Sequence, residues 1–377
     1  MFWVGGVELL GVAWVVALFF AMNIGASGTA ASMGAAFGGG AIKKQWIALL
    51  LVGVAVFLGA ITGGGQVVQT IGKGIIPPEV LNVEIVIIIL ASACLTLFFA
   101  NLLGVPLSTS EVTVGSVVGI GIAYRAIYAG KVLLILGVWL ALPVAAFVIA
   151  YVLGKGVNFA ESILEGSSRQ HLVHRGLTCL LIGAGCYEAF SAGMNNVANA
   201  VGPLVGAGLI TSSTGVLWGG VFVALGAFIL GGKVLHTNAK KITELSLLQG
   251  CIVSLTGGTL VVIASIFGLP VPLTQAATMS ILGVGTAKTG FHVWKQGTVK
   301  RILKIWILSP VSSLIVSYTL VQTLVQGNIY TLVVILSAFI MAIGYMSLLR
   351  PGRIKTLGLI ASYFYSENPV NRLEKVE

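Results

Sequence analysis

Charge is scarce in this sequence: 8% of its 377 residues are Asp, Glu, Lys or Arg, and aspartate is absent altogether. With 57% hydrophobic residues and a mean hydropathy of +1.04, the chain lacks the polar surface of a water-soluble globule, so it is read as a protein of the lipid bilayer. Histidine is also rare, with four residues in or beside the stretches between apolar runs. The apolar interior therefore offers no Ser/His/Asp set and no cluster of metal ligands, and an enzyme, a metal site and a bound cofactor are not expected. Cys94, Cys179, Cys186 and Cys251 lie in or beside apolar segments without metal-type spacing and read as small packing residues. No nucleotide-binding loop is present. The net charge of +10 would point to nucleic acid in a soluble protein. Here Lys and Arg fall between apolar runs, where they report topology, and no nucleic-acid partner is expected.

Long apolar runs are abundant. Trp46 to Gly63, Ile85 to Ala100, Val132 to Leu153 and Ile329 to Leu349 each approach or exceed the ~17 to 25 residues of a membrane-crossing helix. The run within residues 1–22 follows no basic residue and precedes no small-residue cleavage site, so it reads as a retained membrane segment. Fifty glycines suit close helix approach, and the triplets at 38–40 and 63–65 suit interruptions. The expected fold class is an all-α integral membrane protein of about ten to twelve transmembrane or re-entrant helices, some of them broken.

Three stretches recur in order. Gly25-Ala-Ser-Gly-Thr-Ala-Ala-Ser-Met-Gly34 parallels Gly193-Met-Asn-Asn-Val-Ala-Asn-Ala-Val-Gly202 at an offset of 168. Gly104-Val-Pro106 parallels Gly268-Leu-Pro270 at 164, and Trp139, Pro143, Val144 and Tyr151 parallel Trp306, Pro310, Val311 and Tyr318 at 167. This spacing predicts a duplication, with a first repeat over 8–153, a polar linker over 154–175 and a second repeat over 176–325. An additional transmembrane helix at 329–349 and a basic tail at 350–377 follow. Lys43 and Lys44 follow the first motif, whereas uncharged residues follow its counterpart, which predicts inverted repeats. The basic block of Lys288, Lys295, Lys300, Arg301 and Lys304 does not fit strict inversion.

Both copies of the first motif place small or amide residues in an apolar region, where a discontinuous helix opens its backbone toward a cavity. Asn195 and Asn199 share a helical face, with Asn196 beside them. Such amides can serve simply as interhelical packing glue, but three within five residues of a duplicated motif favour a site. The second motif reads Pro106-Leu-Ser-Thr-Ser-Glu111 and Pro270-Val-Pro-Leu-Thr-Gln275. Ser108, Thr109 and Ser110 at a helix start would offer hydroxyls and free N–H groups to an oxyanion, with Thr274 adding one from the other half. Ordinary capping by Ser108, completed by Glu111 as a capping box, uses the same groups.

These motifs carry a resemblance. Gly193-Met-Asn-Asn-Val-Ala-Asn199 is similar to the Gly-Ala-Asn-Asp-Val-Ala-Asn signature of the inorganic phosphate transporter family, and Gly104-Val-Pro-Leu-Ser-Thr-Ser110 to its Gly-Leu-Pro-Val-Ser-Thr-Thr-His segment. With Phe20-Ala-Met-Asn-Ile-Gly-Ala-Ser-Gly28 and Leu107-Ser-Thr-Ser-Glu-Val-Thr-Val-Gly115, the chain most resembles that family's bacterial sulfate permease branch. The resemblance implies inverted repeats, a central anion site, cation-coupled import and a homodimer in the cell's inner (plasma) membrane. It nominates Ser27, Ser108, Thr109, Ser110, Asn195, Asn196, Asn199 and Thr274 as substrate-binding. The chain departs where the signature is acidic, having Gly28 and Asn196 there, and the family's His is Glu111 in one half and Gln275 in the other. Sulfate at neutral pH has only acceptor oxygens, whereas hydrogenphosphate also carries an O–H donor, so a site without acceptor carboxylates suits sulfate.

The expectation is a secondary transporter importing sulfate with protons by alternating access. Phosphate, thiosulfate or another tetrahedral oxyanion is the alternative cargo, and an anion channel the alternative class. Glu111 and Glu188, the acidic residues beside the motifs, are the expected proton carriers.

Overall fold

A computed structural model describes residues 6–102, 107–164, 170–242, 245–295 and 297–348. Apolar runs of this length have no water to satisfy their backbone groups in a bilayer, so they close their hydrogen bonds locally. Among the described residues every regular element is accordingly helical. The order is α1 (Gly6–Ile24), α2 (Gly34–Gly38), α3 (Gln45–Lys73), α4 (Val83–Leu102), α5 (Thr109–Tyr124), α6 (Ala129–Leu164), α7 (Gln170–Gly206), α8 (Ser212–Leu230), α9 (Gly232–Ile242), α10 (Leu247–Ile266), α11 (Leu273–Thr289), α12 (Gly297–Leu320) and α13 (Ile329–Leu348). Eight helices among the described residues are long and apolar enough to cross a membrane. The shorter α5 and α11 start inside the packed core, as re-entrant segments do. α6 runs to Leu164 and α7 starts at Gln170, so helix occupies most of the stretch expected as a linker; the tail at 350–377 lies outside the described residues.

The expected interruption occurs in one copy of the first motif and not in the other. α1 ends at Ile24 and passes into a π-helical turn, Gly25–Thr29, in which Ser27 leaves helical geometry (φ −93°, ψ −109°) and its hydroxyl donates to the Ile24 carbonyl. The second copy lies inside the unbroken α7. The difference follows the residues: Gly28 and Ser27 hold a helix weakly and compete for its backbone, whereas Val197 and Ala198 continue it while the amides bond off-helix.

Packing within residues 1–321, which form one compact unit, pairs elements of the two halves crosswise. α1 packs on α8 and α3 on α7; α5 packs on α12 and α11 on α6. Glycines set these distances. A Cβ on Gly25 would lie 1.9 Å from the Val223 carbonyl, and one on Gly193 would lie 2.0 Å from that of Val56. Likewise Gly226 abuts the Met22 carbonyl and Gly59 that of Phe190, so the same backbone contact is made twice at matching positions.

The turn before α11 is held from several directions. Gly268, at φ +70°, reverses the chain after α10, and the Trp139 indole N–H of α6 donates to the Pro270 carbonyl at 2.8 Å. This fixes where the uncapped N-terminus of α11 points.

Candidate functional site

The first turn of α5, the middle of α7 and the start of α11 meet in a polar region enclosed by apolar helices. Ser108, Thr109, Ser110, Asn195, Asn196 and Asn199 are all buried. Thr109 Oγ1 donates to Asn196 Oδ1 at 3.2 Å and accepts from Asn199 Nδ2 at 3.4 Å. Ser110 Oγ donates to Asn195 Oδ1 at 3.3 Å and accepts from Asn199 Nδ2 at 3.3 Å. Asn195 is fully committed, because its Nδ2 also donates to Ser265 Oγ at 2.9 Å and the Leu269 carbonyl at 3.0 Å, and its Oδ1 accepts from Val271 N–H at 3.0 Å. The nominated residues of α5 and α7 are thus joined to one another.

Other groups remain uncommitted. The Asn196 Nδ2 group and the Thr274 hydroxyl have no partner among the described residues, and Asn199 Oδ1 is buried without one. α11 has no side-chain cap, so the Leu273 and Thr274 N–H groups keep their donors, while that of Gln275 goes to the Pro272 carbonyl at 3.0 Å. The π-helical turn brings the first motif alongside, since a Cβ on Gly28 would touch the Thr274 methyl at 3.4 Å. Ser27 lies in that turn, with its own hydroxyl proton spent on Ile24.

Ser108 caps α5, its Oγ accepting from Glu111 N–H at 3.5 Å. The return half of the capping box is not made: the Glu111 carboxyl instead accepts a hydrogen bond from Gln275 Nε2 of α11. Ser309 of α12 approaches the same carboxyl, whose Oε2 closes no hydrogen bond of ordinary geometry. Glu111 and Gln275 stand 164 apart, the offset of the second motif, so matching positions of the two halves touch. The two helices therefore bring their positive N-terminal ends to one place. Glu188 lies elsewhere: it is buried on α7 two turns before Asn195, with Ser254 of α10 beside its carboxyl. Among the described residues no group of His, Cys, Asp and Glu could hold a metal ion.

Sequence reasoning missed Ser265, Ser254, Ser309 and Trp139 as members of this arrangement. Trp139 and Pro310, next to Ser309, belonged to the third recurring stretch, which was a usable signal. Ser265 and Ser254 carried none.

The Phosphate transporter family model matches residues 24–317, most of the chain and both motifs. This chain belongs to the phosphate transporter family. A relative described as sulfate permease CysP, from Bacillus subtilis (strain 168), is 50% identical over 333 residues, covering 88% of this chain and 93% of the relative. A putative phosphate permease of Pyrococcus abyssi (strain GE5 / Orsay) is 26% identical over 384 residues, covering 80% and 94%. Among solved structures, one titled the sodium-dependent phosphate transporter superposes with a TM-score of 0.73 at 26% identity, covering 82% of this chain and 97% of that one. This member of the phosphate transporter family is accordingly a multi-pass membrane transporter and not an enzyme.

Proposed function

We propose that this anion transporter imports sulfate together with protons, by alternating access between two inverted repeats, and works as a homodimer. The observation that carries the proposal is the contact of Glu111 with Gln275 between the N-termini of α5 and α11. Two converging helix N-termini attract an oxyanion without a buried Arg or Lys. The anion's donors are the Asn196 amide, the Thr274 hydroxyl and the Leu273 and Thr274 N–H groups of α11, with the backbone around Ser27 opposite. Ser108, Thr109, Ser110, Asn195 and Asn199 shape that site from behind.

A carboxylate and a sulfate dianion repel strongly in a dry pocket, so the anion binds when Glu111 carries its proton. Release of sulfate then frees Glu111 to give the proton up. That is symport by mutual exclusion of negative charge, and it needs no metal. The 50% identity to a protein described as a sulfate permease supports sulfate as the cargo. Counterflow of labelled sulfate in liposomes holding the purified protein tests this. Sulfate should exchange, and phosphate at equal concentration should compete poorly; exchange of phosphate in preference to sulfate would overturn the assignment.

A further inference from the structure

The two halves place equivalent pairs of elements around the site, and one pair is closed while the other is not. At offsets of 168 and 164, the α5–α7 pair corresponds to the π-helical turn paired with α11. Asn196, Asn199, Ser110, Val114 and Val117 are at most 3% exposed. Their counterparts Gly28, Ala31, Thr274, Thr278 and Ile281 are all half-buried. These counterparts are more recessed than outward positions of α6 and α8 such as Leu140 at 76% and Ile229 at 61%; Gly28, Ala31, Thr274 and Thr278 are small or hydroxylic, and Ile281 packs against the apolar cluster of Ala150, Ile252 and Val284.

We infer that the hydrogen-bonded set Thr109, Ser110, Asn195 and Asn199 is a latch that holds one route to the anion site shut, while the anion reaches the site along the Thr274–Thr278–Ile281 face of α11. The inference rests on the alternating-access reading. The latch works through amide side chains that tie α5 to α7, closing the gap between them. Its unpartnered Asn199 Oδ1 is buried with it, the kind of cost that a structure sheds when it opens. The other route cannot be latched in the same way. At the matching positions it has Ser27, Gly28, Ala31, Leu273 and Thr274, with no amide among them. The latched conformation, open along α11, is therefore the resting one, and binding must supply the free energy that releases α5 from α7.

Thr109, Ser110, Asn195 and Asn199 are on this account positioning residues, and accessibility rather than uptake alone distinguishes them from ligands. The test uses the full chain with its four native cysteines replaced, carrying either Thr278→Cys or Val114→Cys, and a membrane-impermeant thiol reagent applied to each side. Thr278→Cys should react quickly and Val114→Cys slowly. Adding Asn199→Ala or Thr109→Val should raise the Val114→Cys rate roughly tenfold and lower that of Thr278→Cys, the shift expected from losing one or two buried hydrogen bonds. Thr109→Ser, which keeps the hydroxyl, should restore the original pattern and guards against a folding defect in the other variants. Loss of sulfate exchange with both reaction rates unchanged would make these residues ligands and overturn the latch. A shift of rates as expected in a protein that exchanges no sulfate would leave the latch standing and remove the cargo assignment instead.

Discussion

Glu111 is where two roles compete for one side chain. Ser108 caps the helix without help, and the Glu111 carboxyl is turned to Gln275. Gln can accept the same hydrogen bond but cannot carry a proton, so Glu111→Gln should lower pH-driven sulfate accumulation, while leaving counterflow within a few-fold of the unmodified protein. Undiminished accumulation against a pH gradient would release Glu111 from coupling. Asn196 differs from its neighbours in having a donor to spare, whereas Asn195 has none. Asn196→Ala should therefore weaken sulfate affinity about tenfold or more, the scale of one hydrogen bond to a charged group, measured as the half-saturating concentration in counterflow. Sequence placed all of these residues near one another through the duplicated motifs. It could not tell spent donors from free ones, because the partners of Asn195 lie 70 to 85 residues away and only the fold brings Ser265 and Ser110 to it.

At the scale of elements, the helices were largely legible from uninterrupted apolar runs, while the fate of the two motif copies was not. Both contain small residues, yet only Gly25–Thr29 departs from the α-helix, because continuation in α7 depends on amide partners contributed by α5 and α10. The close approach of α3 to α7 was legible only as an abundance of glycine. Gly193 leaves no room for a side chain against the Val56 carbonyl, whereas Gly137 has nothing within 4 Å of where a Cβ would stand. Gly193→Val should lower stability by about 1 to 3 kcal/mol or abolish folding, since overpacking forces the helices apart. Gly137→Ala should be neutral or slightly stabilising, because glycine weakens a helix interior. Thermal unfolding of both variants in detergent checks the contrast; equal midpoints would show that α3 and α7 yield easily.

For the whole molecule, the overlap with the family covers both halves, but the acidic positions of the family signature are Gly28 and Asn196 here. Sulfate uptake should accordingly be unchanged when sodium outside is replaced by choline, and Asn196→Asp should introduce sodium sensitivity. A strict sodium requirement in the unmodified protein would sink proton coupling as described. Which helix pairs meet was not legible, because α1 packs on α8 and α3 on α7 across long stretches of chain, and a lone sequence gives the order of its motifs and not the contacts between them. The two buried carboxyls have a further consequence for the membrane as an electrical element. If Glu111 and Glu188 each travel protonated with one sulfate, two positive charges offset the dianion, and a turnover moves no current. Uptake at a fixed pH gradient should then be the same at any membrane voltage. With Glu188→Gln one proton is lost, each turnover carries a single negative charge, and a negative interior opposes it by about 2.3 kcal/mol per 100 mV. A carrier that was silent in a current recording would acquire a voltage-dependent signal by the removal of a charge-bearing group.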